Sequence, residues 1–237
     1  MLMPVFEKLL GVIRKQLRMV IQSTENNLIT SCLNMIHIFL DQEKINLNNA
    51  DKVPYPEKAV FTYVGFCIVW SLGANLHDSS RAMFGEFLRG QMRNYFPEFP
   101  DGDVFELGIN ALTHGYQSWN EQIPVFHYNK DVSFFDILVP TNDTVKYKFI
   151  LQQLSYNGYN TLFSGETGVG KSVIVKDFLM TSDDRIDPAF VNFSGKTTPK
   201  NLQDAFQGNL DQKRSTLLAP KVPNTTKVFF IDDVNMP

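Results

Sequence analysis

The residues best equipped for chemistry are Gly165-Glu166-Thr167-Gly168-Val169-Gly170-Lys171-Ser172, which satisfy the pattern GxxxxGK[ST] at each constrained position. Glycines let a backbone wrap a polyphosphate with successive N–H groups pointing inward, and a helix that starts at the lysine aims its positive end at the same place. Lys171 has the reach for β- and γ-phosphates, and the Ser172 hydroxyl is a ligand type suited to Mg2+. A glycine-rich turn can also be purely structural, so its flanks decide. Thr161-Leu162-Phe163 ahead of the loop reads as a strand, and Val173, Ile174, Val175 and Phe178 after it read as one side of a helix. The expected ligands are therefore ATP and Mg2+.

A second constellation lies near the other end, at Val228-Phe229-Phe230-Ile231-Asp232-Asp233, an apolar run closed by two carboxylates. At the carboxyl end of a parallel strand beside the P-loop, Asp232 is expected to hold the magnesium ion, and Asp233 to orient an attacking water. Standing alone, two such acids would be solvated groups capping a turn. The P-loop upstream favours the chemical reading. Asp233 is one methylene shorter than a glutamate, so nucleotide binding is the better supported expectation and hydrolysis the weaker one.

The elements that must position these groups follow from periodicity. From Val145 to Leu154, Ser172 to Leu179 and Pro199 to Leu210 the spacing predicts helices, and Ala189 to Phe193 and Val228 to Ile231 read as buried strands, with a turn at Asn157-Gly158. Alternating strand and helix around a glycine-rich loop is the signature of a parallel α/β sheet. Upstream the texture differs. Phe6, Leu9, Leu10, Ile13, Leu17, Val20 and Ile21 recur at helical spacing, as do Leu28, Ile29, Cys32, Leu33, Ile36, Phe39 and Leu40. The first of these helices carries Lys8, Arg14, Lys15 and Arg18 on its other face; a membrane or calmodulin role is available to such a face, but packing of its apolar side against the second helix fits better.

After a polar run from Asn46 to Pro56, Pro56-Glu57 opens a third helix that is apolar on nearly all sides and ends at Gly73 and Asn75. Asp78 or Ser79 is expected to cap a fourth helix through Met83, Phe84, Phe87 and Leu88. Between Tyr95 and Pro140, proline-punctuated aromatic stretches such as Val125 to Tyr128 and Phe134 to Val139 suggest short strands. His114 and His127 have no acid or metal-ligand spacing around them. The expected fold is thus an all-helical N-terminal subdomain over residues 1 to about 95, short strands and turns to Pro140, and then a P-loop parallel α/β sheet.

Bulk properties agree with an ordinary globular protein: 43% of residues are hydrophobic and 20% charged. The net charge of −3 gives no general attraction for nucleic acid or an anionic membrane, so neither is an expected partner. The most apolar stretch, Ala59 to Leu72, is interrupted by Thr62 and Tyr63 and falls short of the roughly 20 residues a spanning helix needs. Met1 is not followed by a charged n-region, an apolar h-region and a small-residue cleavage site, so a signal peptide is not expected. Cys32 and Cys67 sit in apolar helical patterns with no paired spacing, which points to reduced core thiols and a cytosolic setting.

Several ordered stretches resemble the motor region of dynein heavy chains, particularly the axonemal type: Val139-Pro140-Thr141-Asn142-Asp143-Thr144-Val145-Lys146-Tyr147, Gly165 to Ser172, Val191-Asn192-Phe193-Ser194, and Phe230-Ile231-Asp232-Asp233-Val234-Asn235-Met236-Pro237. These are similar, in that order, to the third AAA+ module of a six-module ring, and Val69-Trp70-Ser71-Leu72-Gly73-Ala74-Asn75 is similar to the helical tail of the second. The resemblance implies that residues 1–122 are the all-helical C-terminal part of the second module and 123–237 the front half of the third module's P-loop α/β domain, cut short. It also implies a regulatory nucleotide site, with the stretch from Val139 to Tyr147 near the adenine end. It implies neighbouring AAA+ modules of the same heavy chain as partners, and intermediate chains, light chains and microtubules as partners of the full-length protein. A cytoplasmic, cytoskeletal location in a ciliary or flagellar axoneme follows. The sensor strands, stalk, linker and first module of the family lie outside this sequence, so the segment alone is not expected to turn over ATP. Two other readings are a structural ring segment with vestigial or permanently bound nucleotide, and a free-standing P-loop NTPase; the long helical region ahead of the P-loop disfavours the latter.

Overall fold

A computed structural model of the chain describes residues 3–42, 56–110, 112–128 and 137–236, which fall into two compact units, Met1–Val125 and Phe126–Pro237. The first unit is built on helices α1 (Met3–Gln16), α2 (Glu25–Gln42), α3 (Pro56–Ile68) and α4 (Asp78–Met92). Helix α1 buries Val5, Phe6, Leu9, Leu10 and Ile13, and its main helical neighbour is α4 rather than the expected α2. A Lys8 Nζ to Gln91 Oε1 hydrogen bond of 3.0 Å ties the same two helices together at their rim. The apolar pattern had suggested a longer α1, but the chain leaves the helix after Gln16. There Val20 N–H donates to the Asn75 carbonyl at 2.8 Å and His77 N–H to the Arg18 carbonyl at 2.9 Å, an alternative home for backbone groups that a longer helix would have used itself.

Helix α3 is buried on nearly every side, and it runs on into one π-helical turn, Val69–Gly73. Close approach explains the glycine at its centre. A Cβ on Gly65 would lie 2.8 Å from Phe99 Cε2 and closer still to the Tyr116 hydroxyl. The cap of α4 is neither Asp78 nor Ser79: His77 takes that position and its Nδ1 accepts from Ser79 N–H at 3.3 Å, leaving Asp78 to pair with Arg81 one turn on. This unit is also not wholly helical. A hairpin, β1 (Leu107–Asn110) with β2 (Gly115–Ser118), pairs antiparallel with Gly108 opposite Gln117. Its turn passes through His114 at a φ of 51°, with His114 Nδ1 3.0 Å from the Tyr63 hydroxyl. Val125 to Tyr128, expected as a strand, has no ladder partner among the described residues, and Val125 and Tyr128 are exposed. Most of the polar run from Asn46 to Pro56, and part of the stretch from Phe134 to Val139, lie outside the described residues.

The second unit has the α/β character expected. It contains α5 (Asn142–Tyr156), α6 (Lys171–Thr181), β3 (Ile186–Asn192), α7 (Pro199–Gly208), the hairpin strands β4 (Leu210–Arg214) and β5 (Leu217–Pro220), and β6 (Thr226–Asp232). Thr141 caps α5 with a reciprocal capping box to Thr144, and Thr198 does the same for α7 with Asn201, followed by Pro199 in the first turn. Strands β3 and β6 pair in parallel, Ile186 beside Thr226 through Asn192 beside Asp232. Near the start of this ladder Asp187 and Lys227 face each other across the strands, 3.0 Å apart and mostly buried, with 18% and 9% of their side chains exposed. Leu151, Val175, Phe178, Leu179 and Ile186 form the core of the unit, with Tyr156, Phe163, Val228 and Phe230 packed against it.

Thr161 to Phe163 departs from expectation. The stretch forms no ladder among the described residues, and Leu162 is 66% exposed. A strand is completed by a neighbour's backbone, and an apolar sequence cannot provide that on its own.

Candidate nucleotide site

The loop between Phe163 and α6 bends at two glycines of positive φ, Gly168 at 85° and Gly170 at 88°. Such angles are strained for any residue with a Cβ. Gly170 is the residue from which α6 starts, so the first N–H groups of that helix, which have no intrahelical acceptors, open onto the loop. Ile174, Val175, Phe178 and Leu179 anchor α6 in the core. On its outer side Lys148 of α5 pins it, donating to Asp177 Oδ2 at 2.5 Å and Thr181 Oγ1 at 2.9 Å. The loop thus hangs from a fixed helix.

Lys171 folds back over its own loop, with Nζ donating to the carbonyls of Gly165 at 2.9 Å and Glu166 at 2.6 Å. The ammonium therefore spans the mouth of the turn whose glycines allow close approach. Glu166, Thr167 and Val169 are exposed on that turn, Val169 at 59%.

Strand β6 brings Asp232 to the start of α6. Ser172 Oγ donates to Asp232 Oδ1 at 2.8 Å, joining the two motifs across 60 positions of sequence. The same oxygen accepts the N–H of Asp233 at 3.2 Å, and Oδ2 stands 3.7 Å from Lys176 Nζ. Lys176 did not stand out in the sequence, although it lies four residues after Ser172 and so one turn along the same helix face. A hydroxyl and a carboxylate in contact are a donor set of hard oxygens, which fits Mg2+ better than a soft metal.

Asp233 is set apart from this group. It has a φ of 55°, lies on the surface, and opens a turn closed by Met236 N–H to its carbonyl at 2.9 Å. Among the described residues its carboxylate makes no hydrogen bond or ion pair. The geometry gathers Gly165 to Ser172 and Asp232 at one spot; Asp233 is their neighbour in sequence without joining the contact.

Comparison with known proteins agrees with this division of the chain. Residues 1–121 match the family described as dynein heavy chain AAA lid domain, and residues 126–237 match the P-loop containing dynein motor region. Dynein axonemal heavy chain 6 of Homo sapiens is 39% identical over 181 residues, covering 73% of this chain and 4% of its own length. The Dynein-1-beta heavy chain, flagellar inner arm I1 complex, of Chlamydomonas reinhardtii is 35% identical over 175 residues, or 73% of this chain and 4% of the relative. Dynein axonemal heavy chain 1 of Mus musculus is 29% identical over 261 residues, covering 98% of this chain and 6% of its own length. The chain thus spans only 4% to 6% of the length of these relatives. A helical lid unit followed by a P-loop α/β unit, matched along nearly its whole length, makes this chain a member of the dynein heavy-chain family.

Proposed function

We propose that this chain is a segment of a dynein motor ring that binds ATP or ADP with Mg2+ at a regulatory site, and that it spans the end of the second and the front of the third AAA+ module. The observation that carries the reading is the 2.8 Å contact of Ser172 Oγ with Asp232 Oδ1, because it joins the two groups a phosphate-bound metal requires. Lys171 would exchange its contacts with the Gly165 and Glu166 carbonyls for phosphate oxygens. The backbone N–H groups of Gly168 to Ser172 would cradle the phosphates, and Ser172 and Asp232 would hold the metal. A bound Mg2+ neutralises charge on the β- and γ-phosphate oxygens.

Asp233, the candidate for orienting water, stands outside that contact, which supports a site that binds and signals more than it hydrolyses. The reading that nucleotide here is a permanent structural ligand draws on the same residue. Neighbouring AAA+ modules would flank the segment, intermediate and light chains and microtubules would be engaged by the whole heavy chain, and the setting would be a ciliary or flagellar axoneme. Equilibrium titration with a fluorescent ATP analogue tests the site: Lys171→Ala should abolish saturable binding, and unchanged binding would remove the assignment. Single-turnover hydrolysis in the intact ring separates the two roles of nucleotide, since a catalytic Asp233 requires the rate to fall in Asp233→Asn.

A further inference from the structure

Asp232 is held from two points on one face of α6. Ser172 and Lys176 are four residues apart, so their side chains stand one above the other on the helix. The Ser172 hydroxyl takes Oδ1 at 2.8 Å and the Lys176 ammonium faces Oδ2 at 3.7 Å. The carboxylate needs a cation there, since its side chain is only 21% exposed at the end of an apolar strand and Ser172 brings no charge. Lys171 does not supply it, being committed to the Gly165 and Glu166 carbonyls. Among the described residues Lys176 is the cation in ion-pair contact with Asp232. The two lysines of α6 thereby divide the work, one on the phosphate loop and one on the carboxylate.

We propose that Lys176 is a positioning residue that keeps Asp232 aimed and charge-balanced while no divalent cation is present, and that it competes with the metal for the same carboxylate. The inference rests on the reading of Asp232 as the metal-side carboxylate. Two consequences follow with opposite signs. Without metal, Lys176 shields an incoming polyphosphate from Asp232 and so favours nucleotide binding. With metal, its ammonium must be displaced, and so it opposes metal binding. Lys176 therefore lowers the dependence of nucleotide affinity on the divalent ion.

The test measures the Kd for N-methylanthraniloyl-ADP in excess EDTA and in saturating Mn2+, together with Mn2+ affinity of the ADP-loaded chain by electron paramagnetic resonance. Lys176 is 47% exposed, so the effect is that of a half-solvated pair, roughly two- to fivefold on each arm. Lys176→Met should weaken metal-free ADP binding and tighten Mn2+ binding to the ADP-loaded chain by about that factor each, and the binding cycle then raises the ratio of the EDTA constant to the Mn2+ constant by the Mn2+ factor alone, roughly two- to fivefold. Lys176→Arg should keep the wild-type ratio, and Lys213→Met, which removes a lysine paired with Asp211, should leave it unchanged and so control for net charge. A ratio unaltered in Lys176→Met, or both constants weakened equally, would overturn the proposal while saturable binding by the wild type left the nucleotide reading intact. Absence of binding by the wild type would instead remove both.

Discussion

Replacing Gly170 by alanine isolates the backbone's part in the proposed nucleotide site. A Cβ built there meets no atom within 4 Å, so the substitution brings no clash. Its φ of 88° is the whole of the problem, since holding an L-residue in the left-handed region costs about 1–2 kcal/mol. The loop around it is exposed, with Val169 at 59%, so nothing packed above it forces the strained shape before a ligand arrives. The free loop should relax, and the ligand must restore the strain on binding. The cost then appears in affinity: at about 1.4 kcal/mol per tenfold, Gly170→Ala should weaken a fluorescent ATP analogue by roughly 5- to 30-fold. Gly168→Ala, at a φ of 85° and equally free of neighbours, should behave alike. Gly195→Ala supplies the matched control, an equally open glycine without positive φ, and should change affinity less than about twofold. Equilibrium titration combined with thermal melting decides the matter. Wild-type affinity in Gly170→Ala would refute the use of those amides. A cost seen in melting and not in affinity would refute the relaxation argument, because it would mean that the loop is held in shape beforehand.

Further outcomes are expected elsewhere in the chain. Phe178, 2% exposed at the centre of the second unit's core, should cost about 3–5 kcal/mol on truncation to alanine, read as lost melting cooperativity of that unit. Gly65→Ala should destabilise the first unit by roughly 1–3 kcal/mol through overpacking against Phe99 and Tyr116, and Tyr116→Phe in the same background should recover part of it. Burial pushes the Cys32 thiol up from its ordinary 9.0 to about 11, and Cys67 is raised for the same reason. The folded state therefore holds thiol protons that the unfolded chain has released, so this contribution is complete below about pH 9 and is lost as pH climbs towards 11. Denaturant titrations across that range should show the decline in the wild type and a shallower one in Cys32→Ala, and native alkylation at neutral pH should leave both thiols unmodified. The side chain of Arg185 holds the Asp183 carboxyl below the usual aspartate range, so Arg185→Gln should raise the pH at which Asp183 titrates, observed by carboxyl NMR.

The parts of the fold that sequence revealed are those whose cause is local. GxxxxGK[ST] places glycines where positive φ is needed, and the structure has that angle at Gly170; threonine followed by its partner three residues on marks the starts of α5 and α7. The apolar runs of β3 and β6 were legible because both are half-covered by α6 and the core. What escaped depended on distant groups. The hairpin of β4 and β5 is mostly polar on Asp211 to Arg214 and mimics a loop in sequence, since its pairing is backbone to backbone. Thr161 to Phe163 has the composition of a strand, yet a ladder requires a second chain segment beside it. His77 displaced Asp78 as a cap because its ring nitrogen reaches Ser79 N–H, a choice set by rotamer and not by residue class. The contact of Lys176 with Asp232 needed both the helix phase of α6 and the end point of β6.

The Asp187–Lys227 pair has a bearing on how the site assembles. It lies near the start of the parallel ladder, while Asp232, opposite Asn192, lies at its end. Side chains alternate between the faces of a sheet, so sliding β6 by one residue would pull Lys227 from Asp187 and turn Asp232 away from Ser172 in the same movement. The slipped ladder would keep its backbone hydrogen bonds but strand two mostly buried charges, a severe cost against the aligned alternative. A contact remote from the P-loop thus sets the placement of Asp232: the register that satisfies the buried pair at one end of the ladder is the one that brings the carboxylate to Ser172 at the other.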